Sequence, residues 1–377
     1  MRVVITGGGT GGHLSIARAF LHTFVKHGWE CIFIGSSSGQ DKMYFEDELN
    51  FKQKWFLQTR GVVNQRGIAI AKSLWQQGCA MQKACRILKE FKPDFVLSVG
   101  GYSAAPAAFG ACLLGLPLII HEQNAEIGRL NRLLKPFCKV FFSSYLESSP
   151  VRFYPVGNVF FEKARVRDTV KNVLFMGGSQ GARAINNFAL SVIGDLKKRG
   201  IKVFLQSGKA DFSRVVEECA KENLNVGVLG GLEKLESETQ KKVQIVNLDS
   251  NVDIVIFDFY ADMASVYALC DFAICRAGAS SLWELCANGL PALFVPYPYA
   301  ASNHQYYNAK FLEEKGLGFL CLEQDLFCEV LWECLGLLKD RITEISKELQ
   351  KECALDATEQ MREVIGEIIG IKSKSFK

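Results

Sequence analysis

Two glycine-rich segments of this chain have the residue types and spacing to bind a phosphate group. Each follows a short apolar run and precedes a segment of helical spacing; the first covers residues 7–13 and the second residues 177–182. Such a strand-to-helix turn lets phosphate oxygens approach backbone N–H groups at the positive end of a helix dipole. Two turns of this kind indicate two anionic groups, or one ligand held between two domains. The alternative is that both turns are glycine-rich only for tight packing.

The first turn also matches the Gly-X-Gly-X-X-Gly pattern of dinucleotide-binding proteins, as Gly7, Gly9 and Gly12. That interpretation requires an acidic residue about 20 positions further on, at the end of the second strand, to bind the ribose hydroxyls. The predicted second strand ends in Gly35-Ser36-Ser37, without an acid. The missing acid argues against an NAD-dependent dehydrogenase.

A histidine and two polar loops stand next to predicted strand ends in the first half. His13 follows the first turn at the start of a helix, where a neutral imidazole could accept a proton from an attacking hydroxyl. Residues 100–103 and 121–124 each follow an apolar run, and open α/β sheets bind ligands at the carboxyl ends of their strands. For residues 121–124 the alternative is a hydrogen-bonded turn without a direct role.

One carboxylate in the second half has two interpretations. Glu284 ends a segment, residues 275–284, that runs from a predicted strand end into a helix. Ser281 and Glu284 have the spacing of a capping box, in which Glu284 would only close the helix N-terminus. A carboxylate at such a helix start can also hold the two hydroxyls of a ribose. Residues 303–308 form a further polar segment that enters a helix.

Short apolar runs alternate with longer helical segments through both halves, a pattern typical of parallel α/β units. We therefore predict two doubly wound α/β domains, with a join near residues 154–158, where proline and glycine interrupt the pattern. Residues 230–252 fit no element, and residues 342–369 are predicted to be helical. The predicted strands are residues 2–6, 31–35, 95–99, 118–120 and 140–142, then 172–176, 203–206, 254–257, 272–275 and 292–295.

Composition limits the class of protein. The chain of 377 residues is 49% hydrophobic and 22% charged, which is typical of a globular protein with two domains. Its 13 cysteines are scattered without a Cys-X-X-Cys pair and favour a reducing compartment. The sequence shows neither a secretory segment nor an apolar run long enough to cross a membrane, so we expect a cytoplasmic protein with at most peripheral membrane contact.

The two halves differ in charge. Residues 1–157 carry 18 Lys and Arg against 10 Asp and Glu, a net charge of +8, whereas residues 158–377 carry 26 against 30, a net charge of −4. This excess suggests an anionic partner for the first half, a phospholipid surface or a phosphate-bearing substrate, unless it is ordinary solvated charge. The apolar residues 67–75, flanked by Arg66 and Lys72, are a candidate membrane-docking segment or, alternatively, a buried helix face.

Seven motifs are spread over almost the whole chain: residues 7–13, 100–102, 121–124, 177–182, 276–284, 289–292 and 304–308. Together they resemble the bacterial UDP-N-acetylglucosamine–N-acetylmuramyl-(pentapeptide) pyrophosphoryl-undecaprenol N-acetylglucosaminyltransferases of glycosyltransferase family 28. The resemblance implies the GT-B fold, an α/β fold with two doubly wound Rossmann-like domains facing a central cleft. Residues 1–157 would bind the acceptor and the membrane, residues 158–354 the donor, and a C-terminal helix of about residues 355–377 would pack back on the first domain.

The resemblance also implies roles for single residues. His13 would be the catalytic base, Glu284 the ribose ligand, and Phe259 with Tyr260 the cover of the uracil; no metal or other cofactor is implied. The implied donor-binding residues are Thr10, Gly11, Gly12, Asn124, Ser179, Gln180, Phe259, Tyr260, Ala279, Ser280, Ser281, Leu282, Trp283, Glu284 and Gln305, and the implied acceptor-binding residues are Gly9, Gly101, Tyr102, His121 and Glu122.

The implied reaction is an inverting transfer of GlcNAc from UDP-GlcNAc to the C4 hydroxyl of the MurNAc-pentapeptide of undecaprenyl-linked lipid I, which forms lipid II in peptidoglycan synthesis. The sequence has no Asp-X-Asp metal clamp, so backbone amides and the helix dipole of the second turn would stabilise the leaving UDP. The implied partners are UDP-GlcNAc, lipid I, the anionic inner leaflet at the cytoplasmic face of the inner membrane, and other cell-wall and division proteins, with no nucleic acid.

Two features depart from the family. The family usually continues its Val-Gly-Asn with Pro-Val-Arg, whose arginine approaches the donor, whereas this chain continues with Val159-Phe160-Phe161, which leaves Arg165 as a candidate for the missing cation. Residues 225–258 are also longer than usual. The alternative functions are a UDP-GlcNAc 2-epimerase of the same fold, which would need no acceptor, and a non-catalytic protein that binds a nucleotide sugar.

Overall fold

The computed structural model describes residues 1–61, 68–178 and 181–370 and divides the chain into two compact units. One unit combines Met1–Val156 with Ala354–Lys377, and the other is Gly157–Cys353. Both are built on parallel sheets, so the predicted α/β class with two doubly wound sheets is confirmed. The chain passes from the first unit to the second inside the stretch 154–158, where proline and glycine interrupt the elements.

The first unit has one parallel sheet. Its strands are β1 (Arg2–Thr6), β2 (Glu30–Ser36), β3 (Gln53–Leu57), β4 (Phe95–Ser98), β5 (Leu118–Glu122) and β6 (Val140–Ser143). Its helices are α1 (Gly11–Lys26), α2 (Asp41–Phe45), α3 (Ile68–Phe91), α4 (Ala105–Leu113) and α5 (Arg129–Leu134), together with α15 (Ala357–Ile369). Among the described residues the strands lie in the order β3-β2-β1-β4-β5-β6. Successive strands are added on one side of β1 up to β3 and on its other side from β4, so the order of the strands reverses between β1 and β4. Sheets wound in this way bind ligands at the carboxyl ends of the strands beside the reversal.

The second unit repeats this plan in a larger sheet. Its strands are β7 (Asn172–Met176), β8 (Lys202–Gln206), β9 (Val226–Val228), β10 (Val243–Ile245), β11 (Ile254–Phe257), β12 (Phe272–Cys275), β13 (Ala292–Phe294) and β14 (Phe319–Leu320). Its helices are α6 (Asn158–Glu162), α7 (Arg183–Lys198), α8 (Phe212–Lys221), α9 (Ser237–Gln240), α10 (Met263–Leu269), α11 (Ala279–Asn288), α12 (His304–Glu314), α13 (Cys328–Leu338) and α14 (Ile342–Lys351). In the described part of the unit the order is β10-β9-β11-β8-β7-β12-β13-β14, with the reversal between β7 and β12.

All ten predicted strands are present, and β3, β9, β10 and β14 were missed. β3 and β10 lie at sheet edges, where one side of a strand meets solvent, and Gln53, Gln244 and Ile245 are exposed there. Such strands lack the continuous apolar run that marks a strand covered by helices on both faces. β9 and β14 have only three and two residues. The unassigned residues 230–252 therefore contain an edge strand whose sequence pattern is that of a loop.

The C-terminal helix belongs to the first unit, where it packs on α1. The Thr23 hydroxyl donates to Thr358 at 2.7 Å, and Lys26 and His27 lie 2.9 Å and 2.7 Å from the carboxylate oxygens of Glu359. The helical segment predicted over residues 342–369 is thus two helices, α14 in the second unit and α15 in the first. Within the described ranges, no helix combines the length and the hydropathy that crossing a membrane requires.

Candidate functional site

The first glycine-rich turn packs against the loop that follows β4. Gly7, Gly8 and Gly9 have φ angles of 127°, 155° and 84°, and the N–H of Gly8 donates to the carbonyl of Gly100 at 3.1 Å. A Cβ atom on Gly7 would lie 2.6 Å from the Gly100 oxygen, and one on Gly101 would lie 2.1 Å from the Gly8 oxygen. Side chains at these positions would force the two backbones apart. Gly101 therefore permits the close approach of the two loops.

A buried carboxylate that sequence analysis did not single out holds this turn. Asp41, the first residue of α2, is completely buried, and its oxygens accept the N–H of Gly9 at 2.5 Å and the N–H of Ser36 at 2.8 Å. Burial raises the pKa of Asp41, and these two hydrogen bonds act in the opposite direction. The acid stands a few residues beyond β2, close to where a dinucleotide-binding protein would hold the ribose. Here its carboxylate binds the chain's own amides.

Thr10 and His13 are joined at the start of α1. Thr10 Oγ1 lies 2.8 Å from His13 Nδ1, and a Cβ atom on Gly100 would lie 3.3 Å from His13 Nε2. The imidazole ring therefore lies between Thr10 and the loop after β4. In the tautomer whose Nδ1–H donates to Thr10, Nε2 is the basic nitrogen. This arrangement suits a base, and Gly11 and Gly12 form the first turn of the same helix.

Tyr102 closes the other side of the turn. A Cβ atom on Gly9 would lie 2.7 Å from the Tyr102 ring, and the Tyr102 hydroxyl donates to the Ser38 carbonyl at 2.7 Å. Burial raises the pKa of this hydroxyl. The structure thus brings together three of the residues predicted to bind the acceptor, Gly9, Gly101 and Tyr102, around one short turn.

His121 was also predicted to bind the acceptor, but its side chain has no exposed surface. Its ring packs between those of Phe20 and Tyr154, with centroids 5.9 Å and 6.0 Å away. Burial, with a smaller contribution from His13, lowers the pKa of His121 to about 3, so that the ring is neutral. Neither ring nitrogen has a hydrogen-bond partner among the described residues. This environment favours packing over ligand contact.

Glu122 was predicted to bind the acceptor, with a hydrogen-bonded turn as the alternative for residues 121–124. Its carboxylate forms such a turn. The side chain is almost completely buried, and one carboxylate oxygen accepts the N–H of Asn124 at 3.0 Å. The other oxygen accepts the N–H of Gly128 and the side-chain amide of Asn131, both at 2.9 Å. Glu122 therefore positions residues 123–128, and with them the partly exposed Asn124.

The second glycine-rich turn follows β7 at the reversal of the second sheet. Ser179 and Gln180, both predicted to bind the donor, lie outside the described residues. On either side of them Gly178 and Gly181 have φ angles of 79° and 75°, and the N–H of Gly181 donates to the Gly178 carbonyl at 2.9 Å. A Cβ atom on Gly181 would lie 2.6 Å from the Ser207 oxygen. Glycine is required here as well for two backbones to approach.

The capping-box interpretation of Glu284 is wrong. The N-cap of α11 is Gly278, so Ser281 and Glu284 both lie inside the helix. The carboxylate of Glu284 accepts a hydrogen bond from the Tyr267 hydroxyl at 3.4 Å. Burial raises the pKa of Glu284 to about 7, although the bond from Tyr267 acts in the opposite direction. A carboxylate with one long hydrogen bond and such a pKa is typical of a functional site.

The other residues of α11 predicted to bind the donor fall into two groups. Leu282 and Trp283 are buried in the core of the second unit, where Trp283 packs against α12. Ser280 and Ser281 are partly exposed, and Ala279 is the first residue of the helix. The serines therefore can reach a ligand, whereas Leu282 and Trp283 fix the position of the helix.

Gln305 lies in the first turn of α12 and is held by the loop before it. Its side-chain oxygen accepts the N–H of Tyr297 at 2.9 Å. Arg276 holds the same loop, since its guanidinium donates to the carbonyls of residues 295 and 296 at 3.1 Å and 3.2 Å and pairs with Glu323 at 2.5 Å. The orientation of the Gln305 amide is thus set by the loop between β13 and α12.

Phe259 and Tyr260 follow β11 at the carboxyl edge of the second sheet. The Phe259 side chain is half-exposed, and Tyr260 lines a cavity of about 440 Å³ together with residues 229–230 and 246–249. Cavities of this size are usual for small ligands. Part of the segment that sequence analysis left unassigned, residues 230–252, therefore forms a wall of this cavity.

Arg165, the candidate for the missing cation, has structural partners instead. Its guanidinium donates to the carbonyl of Ala268 and to the carboxylate of Asp271, both at 2.5 Å. Lys163 is the nearer basic residue to the altered segment, and its amino group lies 2.8 Å from the Asp262 carboxylate at the start of α10. Both side chains are thus held by partners within the second unit.

Each unit has a doubly wound sheet with a glycine-rich turn at its reversal, and the second adds a cavity and a carboxylate of raised pKa. These features are typical of two-domain α/β proteins that bind nucleotides. Glycosyltransferase family 28 matches both units, its N-terminal domain over residues 3–143 and its C-terminal domain over residues 172–365. The chain belongs to glycosyltransferase family 28.

Similar proteins agree with this family. The chain is 46% identical, over 97% of its length and 99% of the relative's, to the UDP-N-acetylglucosamine–N-acetylmuramyl-(pentapeptide) pyrophosphoryl-undecaprenol N-acetylglucosamine transferase of Wolinella succinogenes. The crystal structure of MurG from Acinetobacter baumannii, 27% identical, matches 97% of this chain and 99% of that one with a TM-score of 0.74. The predicted GT-B fold is confirmed. A UDP-GlcNAc 2-epimerase from Neisseria meningitidis, 14% identical over 97% of this chain and 100% of that one, shares the fold alone at a TM-score of 0.61.

The raised pKa of Glu284 predicts a pH-dependent effect of Glu284→Gln on stability without nucleotide. The folded protein keeps a proton on Glu284 that the unfolded chain releases, so the stability of the folded form falls as the pH rises from the ordinary value of 4.5 to about 7. Above pH 7 the variant should therefore be more stable than the wild type by about 1–3 kcal/mol, with no difference below pH 4.5.

Urea unfolding at pH 4 and pH 8 measures this difference. The control is Glu344→Gln on α14, whose side chain is exposed and which should show no pH-dependent change. A difference between Glu284→Gln and wild type that is the same at both pH values would contradict the burial of the Glu284 charge.

Proposed function

We propose that this chain transfers GlcNAc from UDP-GlcNAc to the C4 hydroxyl of the MurNAc-pentapeptide of undecaprenyl-pyrophosphoryl lipid I, forming lipid II with inversion. The observation that carries this proposal is 46% identity over 97% of the chain with a transferase named for this donor and this acceptor. The residues that the structure groups at the carboxyl ends of the strands supply a base in one unit and a nucleotide-type site in the other.

The second unit supplies the donor site in this proposal. Ionised Glu284 accepts hydrogen bonds from the two ribose hydroxyls, and the rings of Phe259 and Tyr260 give the uracil a flat surface. Gln305 has its oxygen bonded to Tyr297, which leaves its amide N–H groups to donate to a GlcNAc hydroxyl. The backbone amides of residues 177–182 and the dipole of α7 stabilise the charge of the departing UDP.

The first unit supplies the base. His13 Nε2 removes the proton of the acceptor's C4 hydroxyl while the hydroxyl oxygen forms a bond to the anomeric carbon of GlcNAc. The bond from that carbon to the β-phosphate oxygen breaks at the same time, and UDP leaves with the electron pair. Attack opposite the leaving group inverts the anomeric centre. Thr10 holds the ring through Nδ1 and accepts a hydrogen bond from it when the ring becomes charged.

His13→Ala should lower kcat by about 10²–10⁴-fold and remove the acidic limb of the pH profile, because general base catalysis contributes rate increases of this size. The affinity for UDP should not change, since the residues proposed to hold its ribose, uracil and phosphates lie in the other unit. Transfer of labelled GlcNAc to a short-chain lipid acceptor analogue measures kcat. The control is His22→Ala on the same helix, which should leave kcat unchanged. Near-wild-type turnover of His13→Ala with an unchanged pH profile would remove His13 from this role.

The same assay separates the proposed transfer from its alternatives. A transferase releases UDP only when the acceptor analogue is present. A 2-epimerase converts UDP-GlcNAc without an acceptor, and a non-catalytic protein binds UDP-GlcNAc without turnover. We expect release of UDP and labelling of the acceptor in equal amounts, and either of the other two results would reject the proposed function.

We further propose that the first unit docks on an anionic membrane surface. Leu133 and Phe137 are 58% and 64% exposed and alternate with basic residues in the segment 129–139. In the apolar stretch 67–75, the side chains of residues 71–75 are described, and Leu74 and Trp75 on α3 are 56% and 71% exposed, which favours a surface over a buried helix face. The side chains of residues 66–70 lie outside the described residues. Apolar side chains with cationic neighbours suit an anionic leaflet.

Replacing both Leu133 and Phe137 by Ala should weaken binding to vesicles of phosphatidylcholine and phosphatidylglycerol by about 10-fold or more, because each buried side chain contributes about 1.5–3 kcal/mol. Co-sedimentation measures the partition, and turnover of a soluble acceptor analogue should stay unchanged. Leu337→Ala, at an equally exposed position of the second unit, is the control. Equal partition of both variants and the wild type would exclude this surface.

A further inference from the structure

Asp41 joins three separate segments of the first unit beneath the glycine-rich turn. It lies at the start of α2 and accepts the N–H of Gly9 in the turn and the N–H of Ser36 at the end of β2. We infer that Asp41 is a positioning residue for the transfer reaction: its carboxylate fixes the first glycine-rich turn in the conformation that places Thr10 and His13. This inference rests on the proposed function, because it concerns the base of that reaction.

Consecutive glycines need a restraint from outside to keep one conformation. Residues 7–9 all have positive φ angles, and glycine loses more conformational freedom on ordering than any other residue. The Gly100 carbonyl holds the N–H of Gly8, and Asp41 holds the N–H of Gly9. Gly9 directly precedes Thr10, so the bond to Asp41 restrains the end of the turn that leads into Thr10 and α1.

The space around the carboxylate fits an aspartate closely. A Cβ atom on Gly8 would lie 2.5 Å from Asp41 Oδ1, and one on Gly35 would lie 2.9 Å from Oδ2. The carboxylate thus fills the gap between two backbones that carry no side chains. Because packed groups cannot move apart without strain, a displacement of the carboxylate is passed to the turn.

The bond to Asp41 also limits what the first turn can bind. The N–H of Gly9 points to a carboxylate inside the protein and is not offered to a phosphate of a ligand. The first turn therefore places side chains next to the acceptor sugar, and it does not offer the Gly9 amide to a pyrophosphate.

Asp271 provides a matched control in the second unit. It is buried, and its carboxylate likewise accepts two backbone N–H groups, those of Lys171 and Asn172, at 2.8 Å and 2.9 Å. It immediately precedes β12, at the amino end of that strand, whereas the candidate site residues follow the carboxyl ends. If the loss of a buried carboxylate lowered only the stability of the protein, substitution of Asp41 and substitution of Asp271 should therefore have the same effect.

Asp41→Asn keeps the shape of the side chain but places an NH₂ group opposite one of the two N–H donors. We expect kcat to fall about 10- to 100-fold, because a small displacement of a catalytic group lowers the rate by this amount. The KM for UDP-GlcNAc should not change. Asp271→Asn should keep the wild-type kcat, although its Tm falls. Both variants are assayed below their unfolding transitions with the full-length chain and the short-chain lipid acceptor analogue.

A kcat of Asp41→Asn equal to that of Asp271→Asn would overturn the inference, and so would a loss confined to the KM for UDP-GlcNAc. Should Asp41→Asn fail to fold, hydrogen exchange in the ¹⁵N-glycine-labelled wild type decides. The Gly9 amide should exchange slowly, as a hydrogen-bonded amide does, and fast exchange would overturn the inference. Failure of the proposed function differs from both results, because the wild type itself would then transfer no GlcNAc.

Discussion

The parallel pairing of β1 with β4 and of β7 with β12 is the constraint on which both candidate sites depend. Thr6 lies opposite Ser98, so the turn after β1 and the loop after β4 leave the sheet side by side. Met176 lies opposite Cys275, so the turn after β7 and the start of α11 do the same. In the first unit these two backbones approach closely, and Gly7 and Gly101 are required by that approach; in the second unit Gly181 allows the turn to approach the loop after β8. The apolar strands therefore determine where the polar residues meet.

Two buried titratable groups, Asp41 and His121, and the partly buried Glu284 show three ways of meeting the energetic cost of leaving water. Asp41 has the N–H groups of two backbone segments, and His121 stays neutral at a pKa of about 3. Glu284 has only the long bond from Tyr267, so its pKa rises to about 7 and its carboxylate retains capacity for a ligand. The contrast separates the residues by role, because a carboxylate already satisfied by the protein positions the chain, whereas one that is not satisfied can bind a substrate.

The helices that carry Tyr267 and Glu284 are themselves held by a buried arginine. Arg167 is completely buried and donates to the carbonyl of Tyr267 on α10 and to the backbone and side-chain oxygens of Asn288 on α11. Burial lowers the pKa of Arg167 to about 9. The same asparagine donates to the carbonyls of Phe160 and Lys163, in the segment that departs from the family pattern. That segment therefore helps to hold α11, which carries Glu284, through hydrogen bonds to Asn288.

The sequence was sufficient to predict the fold class and the strands with continuous apolar runs, because burial on both faces leaves an unambiguous pattern. It was not sufficient for β10, whose exposed Gln244 and Ile245 follow the pattern of a loop. The spacing of Ser281 and Glu284 suggested a cap because it does not reveal where α11 begins. Asp41 was missed because the acid of the dinucleotide pattern was sought at the end of the second strand, whereas Asp41 stands five residues beyond β2 and accepts the N–H of Gly9.

The two glycine-rich turns are similar in sequence but differ in electrostatic environment. Asp41 stands five positions after the last residue of β2, and Asp211 stands five positions after the last residue of β8. Asp211 pairs with Arg214 at 2.6 Å and accepts the side-chain amide of Asn186 at 2.8 Å, and the bond from Arg214 lowers its pKa. Its charge is thus compensated by an arginine, whereas Asp41 takes a backbone amide from the turn itself. Under the proposed function, this difference between the corresponding acids favours the second turn for the phosphates of the donor and the first turn for holding the base.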